Sequence, residues 1–249
     1  IEPWITEIDT YVKSGNTLKD LKSRISDAGL AVPSAIGFAE WIVDDEARRR
    51  KGLETAKRDM DWLSQIGGQK LAAPPIGATR AEDVKTPIEL VAAADRYRVL
   101  LELGQSMNIT PEVEVWGFSK TLRRLGEAWL IASECGRAGG CVLPDIYHLY
   151  KGGSDFLGLQ LLAPAAIGIF HVNDYPKIDR TRIKDADRVY PGDGVAPLAE
   201  AFKTLHAVGY SGYLSVELFN PDYWKQDGLL VAKTALEKLK AVVATAFRN

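Results

Sequence analysis

The sequence predicts an α/β chain folded as a (β/α)8 barrel that opens at its second strand. Three observations lead there. Strand-like runs alternate with helical ones along the whole chain, the pattern of βα units and a parallel sheet. Seven such runs can be counted, one short of a closed eight-stranded barrel, so a first strand and helix are expected before Ile1 or are missing. Four acid or imidazole side chains sit where consecutive strand ends would place them: Glu114, Asp145, His171 and Glu217. An open doubly wound sheet is the other candidate. It fits less well, because no glycine-rich fingerprint follows a strand, and the four polar ends span half the sheet where a crevice would use one point.

Taken in order, strands are expected near 1–4, 31–36, 70–73, 112–116, 140–143, 168–172 and 212–217. In the runs around Glu114, His171 and Glu217 the polar residue alternates with apolar neighbours. Val113/Val115, Phe170/Val172 and Val216/Leu218 therefore share the opposite face. Asp44, Asp45 and Glu46 precede a long helix that reaches about Gln65 and stops at Gly67-Gly68. Thr86-Pro87 reads as an N-cap with proline in the first helical position, opening a helix to about Met107. Ser119 is expected to open the next helix and Ser154 another, and a last helix runs from about Gly228 to Ala246. No linker or low-complexity stretch divides the chain, which predicts a single domain over 1–249.

Composition excludes several classes. Across 249 residues, 31 Lys+Arg face 33 Asp+Glu, a net charge of −2 that offers nothing to nucleic acid or an anionic membrane. No apolar run approaches the roughly 18 residues of a membrane span. Cys135 and Cys141 are too few for a disulfide framework and read as buried reduced thiols. A cytoplasmic location is expected, while the start at Ile1 without Met leaves export open.

The four strand-end residues carry the chemistry. In a βα barrel, functional groups project from the carboxyl ends of the strands. Three carboxylates and one imidazole gathered there suit one divalent ion, Mn²⁺ first and Zn²⁺, Co²⁺ or Mg²⁺ as alternatives; the lack of thiolates argues against a structural zinc site. Buried charges without a counter-ion are costly, which is why the set is read jointly. His148, three residues after Asp145 in the turn leaving the strand, reads as a group that orients a ligand or touches substrate.

These residues resemble the xylose isomerase-like TIM-barrel family of sugar phosphate isomerases and epimerases. The matching pieces are Glu114 on its strand, Asp145-Ile-Tyr-His148 followed by Lys151-Gly-Gly153, His171-Val-Asn-Asp174, the run from Arg188 to Gly194, and Glu217. The resemblance implies that Glu114, Asp145, His171 and Glu217 are metal ligands. It also implies that Glu114 and Glu217 act as an acid/base pair, and that His148 and Arg188 hold substrate oxygens. A small sugar or cyclitol is the implied partner, in a homo-oligomer. The stretch Trp116-Gly-Phe-Ser-Lys120 lacks the second Glu that the family's epimerases carry there. Dehydration beside a keto group, as in inosose dehydratases, therefore competes with epimerisation. A sugar-binding barrel without catalysis and a metal-dependent hydrolase are the remaining readings. Three histidines are too few for the three-metal cluster of endonuclease IV.

Trp4, Phe38, Trp41 and Trp116 fall at or just beyond strand ends, and Trp4 and Trp116 are expected to stack on a sugar ring. Lys151 is expected to contact substrate. Lys151-Gly-Gly-Ser154 and Pro191-Gly-Asp-Gly194 offer backbone N–H groups that suit a phosphate or simply form tight turns. The run Arg48-Arg-Arg-Lys51 reads as a solvated helix face.

Overall fold

The alternation of elements folds as expected in a computed structural model, which describes residues 1–80, 82 and 84–248. Six short strands follow one another in parallel: β1 (Ser34–Ile36), β2 (Lys70–Ala73), β3 (Thr110–Glu114), β4 (Cys141–Leu143), β5 (Phe170–Val172) and β6 (Leu214–Val216). The segment 1–4 takes the place of a seventh strand: Trp4 bridges Ile36, and the Ile36 N–H donates to the Pro3 carbonyl. Bridges Val142↔Ile167 and Asp145↔His171 carry the sheet from β4 to β5. Among the described residues no ladder joins β6 to segment 1–4. A cavity of about 710 Å³ lies between them, with Ala235 and Leu239 of the last helix in its wall.

Helices pack outside this sheet. They are α1 (Ile5–Lys13), α2 (Leu18–Asp27), α3 (Glu46–Gln65), α4 (Leu90–Gln105), α5 (Leu125–Glu134), α6 (Ile146–Gly152), α7 (Leu198–Ala207), α8 (Pro221–Trp224) and α9 (Gly228–Ala246). Asp45 caps α3 by accepting the Arg48 N–H, so that helix begins where its acidic start predicted; α9 begins at Gly228 as expected, with Asp227 as its cap through Leu230. Val113, Val115, Phe170 and Val172 are buried in the large core between strands and helices. The inner face holds a small apolar layer of Ile36, Ala72, Leu143 and Ile169, flanked by Trp4 and Phe38.

Several starts differ from expectation. Thr86-Pro87 stays in a loop and α4 begins at Leu90, because the Glu89 carboxylate accepts from Val91 and Ala92 and does the capping. Ser119 does not open a helix. Its hydroxyl donates to the Ala78 carbonyl, and α5 starts only where the Glu127 carboxylate can take the N–H groups of Arg123 and Arg124. The Ser154 hydroxyl accepts from Leu125, and Asp155 caps the 3₁₀ turn Phe156–Leu161 instead. The segment after Asp145 is helical, not a plain turn: the Asp145 carboxylate caps α6 through the His148 N–H at 2.7 Å, and Gly153, at φ 80°, ends it.

Candidate active site

The strand ends converge on a cavity of about 180 Å³ at the carboxyl end of the sheet. Glu114 ends β3, Asp145 and His171 meet in a bridge between neighbouring strand ends, and Glu217 follows β6 with its N–H on the Val172 carbonyl. Asp145, His171 and Glu217 each offer a ligand atom, all within 4.8 Å of one another. Glu114 stands apart from that trio but lines the same cavity as Glu217.

Four buried atoms in and beside the site are left without hydrogen bonds: Glu114 Oε2, His171 Nδ1, Arg188 Nε and Glu2 Oε1. The Glu114 Oε1 accepts from the Trp116 indole N–H at 2.7 Å. His171 Nδ1 faces Glu217 Oε2 at 3.5 Å, while its other nitrogen meets Glu2 Oε2 at 2.9 Å. Leaving buried polar atoms unpaired costs about 1–3 kcal/mol each, and an orphaned carboxylate oxygen and an orphaned ring nitrogen beside two more carboxylates form a donor set that suits a cation.

The electrostatics agree. Burial and the nearby Glu217 charge push the Glu114 carboxyl up to about 8. Burial also raises Asp145, with Arg188 working against it. For Glu217 burial is outweighed by the charges of His171 and Arg188, which bring it down to about 2. Burial opposes a charge on His171, but Glu2 and Glu217 overcome it and hold the ring well above its ordinary value. Negative charge is in excess at this spot, and the protein meets it only by borrowing protons and Arg188.

Arg188 is fully buried among those acids. Its guanidinium lies 3.2 Å from Asp145, 2.8 Å from Glu217 and 2.7 Å from Asp185, stacked over Tyr147 and Phe219. Burial and the adjacent Arg188 charge hold His148 well below the usual range, so its ring is neutral. Both the Gly117 N–H (3.2 Å) and an Arg188 N–H (3.0 Å) point at that ring. A neutral imidazole has one lone pair to give them, so one donor pairing is frustrated and is free to turn to an incoming oxygen.

The aromatic wall is wider than expected. Trp4, Phe38 and Phe219 form one side, with ring centroids 5.4 and 5.8 Å from Trp4, and Trp116 packs 5.2 Å from Phe118 on the other. Trp41 is core: its indole donates to the Ala73 and Pro74 carbonyls. Lys151 is not in the cavity wall. Its ammonium is held by the carbonyls of Thr181 and Ile183, where it fastens a loop. Neither proposed phosphate cradle is open. The N–H groups of Gly153 and Ser154 close the end of α6, and those of Gly192 and Gly194 are donated to Asp174.

Asn173 and Asp174, which the sequence offered only as part of the run His171–Asp174 and without a role, brace the site. Asn173 donates to Asp145 Oδ2 at 2.8 Å and accepts from the Tyr147 N–H. Asp174 gathers four N–H groups, from Tyr175, Gly192, Gly194 and Ala196, and so ties down the loop that begins at Arg188. A Cβ at Gly194 would come within 2.3 Å of that carboxylate, so only glycine allows the approach. Glu2 was missed, although an acid between Ile1 and Pro3 in a predicted strand is an inward charge that needs a partner.

The xylose isomerase-like TIM-barrel model matches residues 4–242. The chain belongs to that family. Within it, an inosose isomerase of Halalkalibacterium halodurans is 30% identical over 204 residues, covering 82% of this chain and 72% of that protein. A 3-dehydro-D-guloside 4-epimerase of Escherichia coli is 25% identical, covering 81% of this chain and 77% of its own length. A crystal structure of the IOLI protein with a bound zinc atom superposes with a TM-score of 0.89 at 22% identity, covering all of this chain and 89% of that one. Its likeness extends to the fold. No helix among the described residues is long and apolar enough to cross a membrane, and both cysteines are buried free thiols, as expected.

Proposed function

We propose that this protein is a divalent-metal-dependent isomerase or epimerase of an unphosphorylated ring hydroxy-ketone, a keto-cyclitol or cyclic keto-sugar. The observation that carries the reading is the meeting of Asp145, His171 and Glu217 within 4.8 Å, beside the unpaired Glu114 oxygen and under an aromatic wall. Glu114, Asp145, His171 and Glu217 would hold the cation, and their oxygen-rich, thiolate-free set suits Mn²⁺, with Zn²⁺, Co²⁺ and Mg²⁺ acceptable. When bound, the cation polarises a ketone and its neighbouring hydroxyl and so acidifies the carbon-bound proton beside them.

The chain's own groups do the rest. One carboxylate of the Glu114/Glu217 pair takes the proton from carbon, and the C–H electron pair moves toward the carbonyl oxygen. The other carboxylate returns a proton, to the opposite face for epimerisation or to the adjacent carbon for isomerisation. The pair comes from β3 and from the end of β6, strands that are not neighbours in the sheet. His148 and Arg188 face substrate oxygens from the cavity wall. The aromatic rings of Trp4, Trp116 and Phe219 cover the apolar face of a sugar or cyclitol ring.

The substrate class follows from charge. Arg188 is the cation in the cavity wall, and three carboxylates already share it. Nothing there is left to neutralise a phosphate dianion. The inosose isomerase and keto-guloside epimerase relatives support the same choice. A second reading, loss of water beside the ketone, shares the first proton removal. It is favoured by the stretch 116–119, which adds no further carboxylate to the cavity.

The test is proton exchange in deuterated water. With Mn²⁺ present, NMR of a panel of keto-inositols and keto-hexoses should show loss of one signal beside the carbonyl. Bound metal with no exchange on any member would refute the reading and leave a sugar-binding barrel. A product with a new carbon–carbon double bond would establish the dehydratase reading.

A further inference from the structure

Glu2 and His171 are 169 positions apart in the chain, yet Glu2 Oε2 sits 2.9 Å from His171 Nε2, and both side chains are buried, at 6% and 0% exposure. The contact has a direction. Of the two ring nitrogens, Nε2 faces the carboxylate and Nδ1 faces Glu217 with no hydrogen bond of its own. A carboxylate accepts and does not donate, so a hydrogen bond to Glu2 requires the proton on Nε2. Nδ1, the nitrogen that faces the acids, is then the atom left to meet a cation bound among them.

We infer that Glu2 is a positioning residue of the metal centre. It fixes the tautomer and the plane of His171 so that Nδ1 is the coordinating atom. The inference rests on the proposed function, since it presumes that the four strand-end groups hold a cation. It adds a fifth residue, outside the strand-end set, on which affinity for that cation depends. The place of Glu2 supports the assignment. It lies on the inner face of the segment whose Trp4 bridges β1 and lines the cavity, so the same short strand supplies both a pocket wall and the histidine's anchor. Carboxylates in this role typically matter by 10–100-fold in metal affinity.

The test compares wild type, Glu2→Gln and Glu2→Ala by Zn²⁺ and Mn²⁺ titration against a competing chelator, with circular dichroism to confirm folding. Glu2→Ala should bind 10–100-fold more weakly. Glu2→Gln keeps an acceptor for the Nε2 proton and should fall between the two. Nitrogen-15 NMR of the Zn²⁺-loaded wild type should show His171 coordinating through Nδ1 with a protonated Nε2. In Glu2→Ala, loss of the hydrogen-bonded Nε2 proton signal is expected. Coordination through Nε2, or equal affinity in all three folded proteins, would overturn the role of Glu2 while leaving the metal site standing. A wild type that binds neither ion would overturn the proposed function itself.

Discussion

Strand β3 carries two buried glutamates, two residues apart and on the same inner face, and the protein treats them in opposite ways. Glu112, nearer the strand's amino end, accepts from the Ile169 N–H with both oxygens, at 3.1 and 3.2 Å, and pairs with Lys70 at 3.3 Å. A Cβ at Gly168 would come within 2.0 Å of its oxygen, so a glycine is placed where the carboxylate must dock. Glu114, at the carboxyl end, has one oxygen on Trp116 and the other on nothing. Burial pushes both upward, to about 7 and about 8. The lesson is that burial by itself does not mark a reactive acid. What separates the two is whether the protein completes the hydrogen bonding or leaves a lone pair for something that arrives later.

That contrast is open to direct attack. The largest effect should come from stripping metal. Dialysis against a chelator should abolish proton exchange, and added Mn²⁺ should restore it, while the chain stays folded by circular dichroism because Lys70–Glu112 and the core do not depend on the ion. Next in size, Glu217→Gln should lower exchange by at least about 10³-fold, since it removes both a ligand and one partner in proton transfer. Glu114→Gln should cost about 10²–10⁴-fold in turnover. The matching change at the floor, Glu112→Gln, should leave exchange nearly intact, and a comparable loss there would erase the distinction between the two acids.

Glu112→Gln sharpens the comparison through pH. A carboxyl at about 7 in the folded chain lies above its unfolded value of about 4.3, so its contribution to stability is fully present below that value and is lost as pH rises toward and through 7. Urea unfolding of metal-free wild type should therefore show declining stability from about pH 4.5 to 7.5, by a few kcal/mol at about 1.4 per unit. In Glu112→Gln that part of the slope should disappear. The smallest effect is expected from Lys151→Ala. Its ammonium binds only loop carbonyls, so KM should move by no more than about twofold, equivalent to roughly 0.5 kcal/mol.

Strand ends and caps were the legible parts of this chain. Period-two alternation around Glu114, His171 and Glu217 set their faces correctly, because a strand's side chains have only two directions to take. The acidic start of α3 was equally readable, since an N-cap is satisfied within three residues of itself. Local rules failed where a side chain found a distant partner. Ser119 and Ser154 look like caps but spend their hydroxyls on Ala78 and Leu125. Gly192 and Gly194 look like a phosphate loop but give their N–H groups to Asp174. α1 and α2 were not anticipated at all, although Thr17 caps α2 through Asp20 in the ordinary way.

By itself, then, the sequence determined the βα order, the facing of the strands around Glu114, His171 and Glu217, and the placing of those residues and Asp145 at strand ends. These depend on periodicity and chain direction, which a single segment carries within it. Only the tertiary structure decided that Glu2 anchors His171, that Arg188 lies among three carboxylates, and that Phe219 joins Trp4 in the pocket wall. Glu2 and His171 are 169 positions apart, and Trp4 and Phe219 are farther apart still. The curling of the parallel sheet around one mouth, and no property of either partner alone, brings them within reach of each other.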